Sequence, residues 1–201
     1  STPIKSSAAS DVYKRQALMR AIPGMTIINP VDDLETEAAI ETILAHEGPV
    51  YLRLGRLAVE RVHEEKRPFV IGKGETLVEG NDGTIIATGL MVQESLKAAK
   101  QLAEQGTKIR VLNFSTIKPL DEELVLQVAK ETPWIITAEE HSVIGGLGSA
   151  VSEFLSENQP TKVIKIGVQD QFGQSGNPEL LKEHYGLTAK NIINKVKQLS
   201  S

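Results

Sequence analysis

From residue 84 to residue 199 the chain alternates β-branched apolar runs with longer amphipathic ones, and that alternation leaves few folds open. The apolar runs are TIIAT at 84–88, KIRVLNF at 108–114, WIITA at 134–138 and KVIKIGV at 162–168. Ile, Val and Thr recur in them, as suits a pleated surface. Helical periodicity fills the gaps, at about 91–105, 121–131, 149–157 and 189–199. Boundary signals agree. Gly106 follows the first helix, Asp121 opens the second after Pro119, Pro178 suits a helix N1 position and Thr188 caps the last helix. The pattern predicts an α/β fold, a doubly wound, mainly parallel sheet with helices on both faces, over residues 68–199. Runs at 69–71 and 75–78 around Gly72-Lys73-Gly74 predict a hairpin at its start. Asn81-Asp82-Gly83 predicts a turn.

The residues before this domain form a smaller unit. A short helical piece at 17–22 is stopped by Pro23-Gly24. Residues 26–28 read as a strand. Asp32 then stands as an N-cap with Glu35 three positions on, the capping-box spacing. The helix it starts runs to about His46, and a strand at 50–54 follows. Strand–helix–strand units usually leave their strands parallel. Two strands and one helix cannot cover both faces of a sheet, so residues 17–60 read as the end of a second domain. They are expected to be less well supported than residues 68–199. The charged stretch 57–67 (LAVERVHEEKR) reads as a connection, with 61–67 as the linker itself.

Residues 1–16 (STPIKSSAASDVYKRQ) show no periodicity and are expected to be disordered or non-native. The last six, DVYKRQ, are encoded by GAT GTG TAT AAG AGA CAG, which resembles the end of a transposase adapter used in sequencing libraries. On that reading the native segment upstream of Ala17 has been replaced.

Composition narrows the chemistry. There is no cysteine, so disulfides and thiol catalysis are excluded, and a cytoplasmic setting is expected. The net charge is −4 with no basic cluster, which argues against nucleic acid as a partner. No apolar run approaches the roughly 20 residues that span a bilayer, so no membrane partner is expected. No signal peptide is visible.

Ligands of open parallel sheets bind beyond the carboxyl ends of the strands. Several stretches lie there. Gly145-Gly146-Leu147-Gly148 precedes a helix and has amides that can cradle an anion, but the dinucleotide fingerprint needs another spacing. A tight turn with helix packing is the favoured reading. Glu139-Glu140-His141 can do acid–base work, or bind loop backbone or a subunit interface; the structural role is favoured. The amide-rich loop 169–177 is expected to be anchored by Phe172. Arg53 and Arg56, at the end of a strand, suit phosphate or carboxylate recognition, although a surface arginine is more often merely solvated. His46, His63 and His184 carry no assigned role. No stretch shows a nucleophile with its base, a metal set or a P-loop.

Particular segments carry a family resemblance. ALMRAIPGMTIINPVDDLET at 17–36 and VYLRLGRLAV at 50–59 look like the end of the pyrimidine-binding domain of transketolase. Thr88-Gly89, Thr116-Ile117-Lys118-Pro119-Leu120-Asp121 and AEEHSVIGGLGS at 138–149 look like the family's C-terminal domain. The resemblance runs from Ala17 to the end and is nearest the split form, in which the C-terminal section is a separate polypeptide.

The resemblance implies part of an enzyme that moves a two-carbon ketol unit between sugar phosphates, using thiamin diphosphate and Mg²⁺. It implies that the diphosphate domain, the glutamate facing the aminopyrimidine and the channel histidines lie upstream of Ala17. The isolated chain is therefore expected to be inactive, and no catalytic, cofactor or metal residue is assigned within it. Arg56, in Leu54-Gly55-Arg56, matches the arginine that contacts the sugar phosphate. The implied partners are a transketolase N-terminal section, a second copy of this chain in a dimer, and sugar phosphates. Deoxyxylulose-phosphate synthase and the β subunit of 2-oxoacid dehydrogenases share the domain pair and stand as alternatives. A non-catalytic dimerisation module is a third.

Overall fold

The computed structural model describes residues 8–55 and 59–199, with side chains described from residue 14 onward. The larger sheet has five strands in the order β3-β5-β4-β7-β8: β3 (Glu75–Val78), β4 (Gly83–Ala87), β5 (Ile109–Asn113), β7 (Trp134–Ser142) and β8 (Lys162–Val168). β4, β5, β7 and β8 run parallel, and β3 lies antiparallel on β5 at one edge. The helices linking them are α3 (Leu90–Ala103), α4 (Glu122–Glu131) and α5 (Leu147–Asn158), followed by α6 (Pro178–His184) and α7 (Ala189–Leu199).

Alternation along the strands decides which helix covers which face. Ile85 and Ile136 join Met91 and Leu102 of α3 and Ile192 and Val196 of α7. Ile86 and Ile135 turn the other way and meet Val125 and Val128 of α4 and Val151 and Leu155 of α5. All these side chains are essentially inaccessible to water. Each is worth roughly 1.5–3 kcal/mol of burial. The sheet is thus doubly wound, as the alternation predicts.

A second, smaller sheet has the order β2-β1-β6, made of β1 (Thr26–Ile28), β2 (Val50–Leu52) and β6 (Thr116–Lys118). β1 and β2 are parallel, in register from Thr26 opposite Val50 to Ile28 opposite Leu52, as their strand–helix–strand order predicts. The connecting helix is α2 (Asp33–Leu44), capped by Asp32, whose Oδ1 accepts the Glu35 N–H at 2.8 Å. β6 comes from the larger unit, between β5 and α4, and pairs antiparallel with β1. No periodicity marks a strand that short, and sequence reasoning missed it. The small sheet is therefore completed by the large domain.

Several expectations change. The hairpin at 69–78 does not form: residues 69–71 are not a strand, Lys73 donates to the Val70 carbonyl in a turn, and β3 pairs with β5 instead. Residues 8–16, expected without regular structure, lie in a helix, α1 (Ala8–Arg20). Its carboxyl end is held by Lys118, whose Nζ donates to the carbonyls of Arg20 and Ile22 at 2.9 and 2.7 Å. β7 extends past Ala138 to Ser142, so Glu139, Glu140 and His141 sit on a strand. Phe172 is 82% exposed, with Lys14 Nζ over its ring at 5.0 Å, and the loop is held instead by Tyr185, whose Oη donates to the Phe172 carbonyl and accepts the Gln174 N–H.

Candidate functional site

Two polar clusters join the small unit to the large one. The first forms at the carboxyl end of β7, where α1, the exit of β2 and the start of α5 converge. Glu139 is 1% exposed, and its carboxylate faces the first turn of α5. It accepts the N–H groups of Leu147 and Gly148 at 2.8 and 2.9 Å. It also accepts from Gln16 Nε2 at 2.9 Å. A carboxylate at a helix amino end gains from the helix dipole. The anion cradle read from Gly145–Gly148 is thus filled by the chain's own carboxylate. A Cβ on Gly146 would lie 2.1 Å from Glu139 Oε2, so only glycine fits that turn. Burial pushes the Glu139 carboxyl above its ordinary range, against the bonds from Gly148, Leu147 and Gln16 and the charge of Arg53.

Arg53 is not a solvated surface arginine. It is 6% exposed, and its guanidinium donates to the Glu140 carbonyl and to Gln16 Oε1 at 3.2 Å. The Glu140 carboxylate lies 3.7 Å away. Those contacts engage its guanidinium within the protein. His141 is also buried. Its Nδ1–H donates to the Ser142 carbonyl at 2.8 Å, and Nε2 accepts the Ala17 N–H at 3.3 Å. That pattern requires the neutral ring. Burial and the Arg53 charge push its pKa down to about 4. Its 3.7 Å approach to Glu139 is therefore a contact of a neutral ring, not an ion pair. Glu139 and His141 are thus both engaged by backbone groups of the chain itself.

The second cluster lies at the amino end of α2. Glu35 reaches back to the Val31 N–H at 2.6 Å and forward to the large domain, accepting from Asn113 Nδ2 at 2.9 Å and Ser115 Oγ at 2.6 Å. Burial pushes this carboxyl up, and the same hydrogen bonds pull it back. Nearby, Asn29 donates its N–H to the Ser115 carbonyl at 2.8 Å, and Thr88 Oγ donates to the Asn29 carbonyl at 3.3 Å. Gly89, at φ +54°, passes so close to the Asn29 side chain that a Cβ would lie 2.7 Å from it.

His63, given no role from sequence, belongs to this cluster. It is 8% exposed, and its ring nitrogens face Asp32 Oδ2 at 2.9 Å and Glu75 Oε2 at 2.8 Å. The linker is thus pinned rather than free. Arg61 chelates Asp33, and Lys66 reaches Glu37 and Glu41. Nothing in LAVERVHEEKR marks the histidine, because its partners are set by tertiary contact.

A cleft of about 280 Å³ lies between the linker, α3 and α6, lined by residues including Glu60, Gln93, Lys97 and Lys182. Its lysines face carboxylates of the same wall: Lys182 those of Glu179 and Glu94, Lys97 that of Glu60. Among the described residues no group of three or more His, Cys, Asp or Glu side chains is placed to hold a metal ion. No described helix is long and apolar enough to cross a membrane. Arg56, the sequence candidate for phosphate, lies outside the described residues.

Residues 72–192 match the family described as the transketolase C-terminal domain. Among curated relatives, a 6-deoxy-6-sulfo-D-fructose transketolase subunit of Clostridium sp. (strain MSTE9) is 52% identical over 177 residues, covering 88% of this chain and 55% of the relative. A putative transketolase C-terminal section of Methanocaldococcus jannaschii is 43% identical over 183 residues, covering 90% of this chain and 57% of the relative. A 1-deoxy-D-xylulose-5-phosphate synthase of Geobacter sulfurreducens is 41% identical over 178 residues, covering 87% of this chain but 28% of the relative. A solved structure described as a split gene transketolase, inactive beta4 tetramer, is 46% identical with a TM-score of 0.90. It is matched over 92% of this chain and 61% of its own. The chain thus spans little more than half the length of the transketolase relatives it matches.

Proposed function

Because the chain belongs to the transketolase family, we propose that it is the C-terminal section of a split transketolase, a ketol transferase working on sugar phosphates. The observation that carries this is the joint presence of a doubly wound C-terminal domain and, docked on it through Arg53, the exit of strand β2. Deoxyxylulose-phosphate synthase is the less favoured reading, since that relative is less similar and the chain covers far less of it.

Thiamin diphosphate and Mg²⁺ supply carbanion chemistry in the proposed complete enzyme. The described residues do not fit as their holder. The anion cradle before α5 is taken by Glu139, and no described cluster offers a metal donor set. The cofactor and its metal therefore belong to an N-terminal section of the proposed enzyme. The chain's part is to support the assembly with that section and with a second copy of itself. Its direct substrate contact is Arg56, whose guanidinium suits a bidentate grip on phosphate. A cytoplasmic location and a place in pentose phosphate chemistry belong to the same proposal.

The test is reconstitution. This chain mixed with a matching N-terminal section, thiamin diphosphate and Mg²⁺ is expected to give no ketol transfer. A version carrying the preceding stretch of the relatives' sequence is expected to give it. Turnover by the shorter chain would refute the assignment of roles. In the active assembly, Arg56→Ala is expected to raise KM for a phosphorylated acceptor by roughly 10–100-fold, with a much smaller change for an unphosphorylated one. Equal effects on both acceptors would remove the phosphate role.

A further inference from the structure

We infer that His63 is a charged clamp joining the linker, the small sheet and the large domain, and that it opens when the ring loses its proton. Asp32 Oδ2 already accepts two backbone N–H groups of the linker, from Val62 at 3.0 Å and His63 at 2.9 Å, while Oδ1 caps α2. An oxygen so used is a carboxylate, so the ring nitrogen beside it is an N–H donor. Glu75 uses Oε1 to accept from Arg67 at 2.7 Å and is also a carboxylate, so Nε2 beside its Oε2 is a donor too. A ring that donates from both nitrogens is an imidazolium. One side chain then ties the cap of α2 to β3, with the linker between them.

The surroundings agree with a cation. The charged groups facing the ring are Asp32 and Glu35 from α2 and its cap, and Glu75 from β3; Arg67 stands behind Glu75, and Arg61 is occupied by Asp33. Burial works against the charge on His63, but the bonds to Glu75 and Asp32 outweigh it and hold the ring above its ordinary pKa. Burial likewise opposes the Asp32 charge, and the N–H groups of Glu35, His63 and Val62 outweigh it and hold that carboxyl low.

The sign follows from linkage. A histidine raised on folding contributes its full stability below its unfolded pKa, about 6.5, and loses it as pH rises through the folded value. The clamp is therefore closed in mildly acidic solution and opens on the alkaline side. A neutral ring keeps one donor, so one of the two carboxylate contacts is lost. This clamp lies apart from the phosphate and cofactor assignments and does not depend on them.

Two measurements on the full chain test it. Ring proton NMR should show His63 titrating above the ordinary value of about 6.5. Tryptic cleavage within residues 59–67, at Arg61 and Lys66, should accelerate as pH rises from about 5.5 to about 9, after correction with a peptide substrate. The expected gain is on the order of tenfold for each pKa unit by which folding raises the ring. His63→Gln should cleave at the alkaline wild-type rate throughout. A ring titrating at or below the ordinary value, or wild-type cleavage flat with pH, would overturn the clamp.

Discussion

The two sheets share one interface but are held by different forces. Each strand at the centre of the five-stranded sheet is covered on both faces by apolar side chains of α3 and α7 or of α4 and α5. The three-stranded sheet buries Ile27, Ile28 and Ile117, yet these join neither large apolar cluster; among the described buried residues of its unit, Val31 alone does so. What fastens it is β6, borrowed from the large domain, together with the bonds of Glu35, His63, Arg53 and Gln16. Apolar packing tolerates approximate shape; a polar joint fails when one partner is lost. The difference teaches that the large unit carries its own apolar core, while the small one draws on β6 and on polar bonds to the large unit.

The largest effect is expected from the shared foundation. Ile86→Ala, at an inaccessible position in the central strand β4, should cost about 2–5 kcal/mol by denaturant unfolding and weaken both sheets together. Loss of the small sheet alone would reverse the comparison.

Next comes His141, neutral and near Arg53, the opposite of His63. A histidine lowered on folding loses its contribution as pH falls from about 6.5 toward its folded value of about 4. Comparing wild type with His141→Gln isolates this from the raised carboxyls of Glu35, Glu139 and Glu140. The wild type should lose ground to the variant over that window by up to a few kcal/mol, at about 1.4 kcal/mol per pKa unit. A difference independent of pH would mean the ring is already charged.

Ser115→Ala removes one donor from the half-buried Glu35 carboxylate and should cost about 1–3 kcal/mol, seen mainly as faster amide exchange in β1 and α2. Arg61→Ala breaks only an exposed pair with Asp33 and should leave unfolding unchanged. A large loss there would mean that surface pairs, rather than the buried joint, hold the linker.

The large sheet was legible because its signals are local. Strand runs such as Trp134–Ala138, glycine stops such as Gly106 and caps such as Asp121 each act within a few residues. The joint was not, because it is written in single polar residues far apart in sequence. Gln16, Arg53 and Glu139 meet only in the fold, as do Asp32, His63 and Glu75. The spacing marks Asp32 and Glu35 as a capping pair and Asp32 does cap α2, but Glu35 closes on Val31 rather than on the cap's own N–H and spends its other oxygen on Asn113. Arg53, just past β2, looks exposed in the sequence because the partners that bury it, Gln16 of α1 and Glu140 of β7, are distant in the chain. The family resemblance supplied what composition and spacing left open.

Hydrogen exchange resolved by residue tests the dependence of the small sheet most directly. The Thr26–Ile28 amides should exchange through a local opening with markedly lower protection than those of Gly83–Ala87, while the latter exchange only on global unfolding. Equal protection in the two strands would contradict the account, because it would make the small sheet part of the same cooperative unit as the large one.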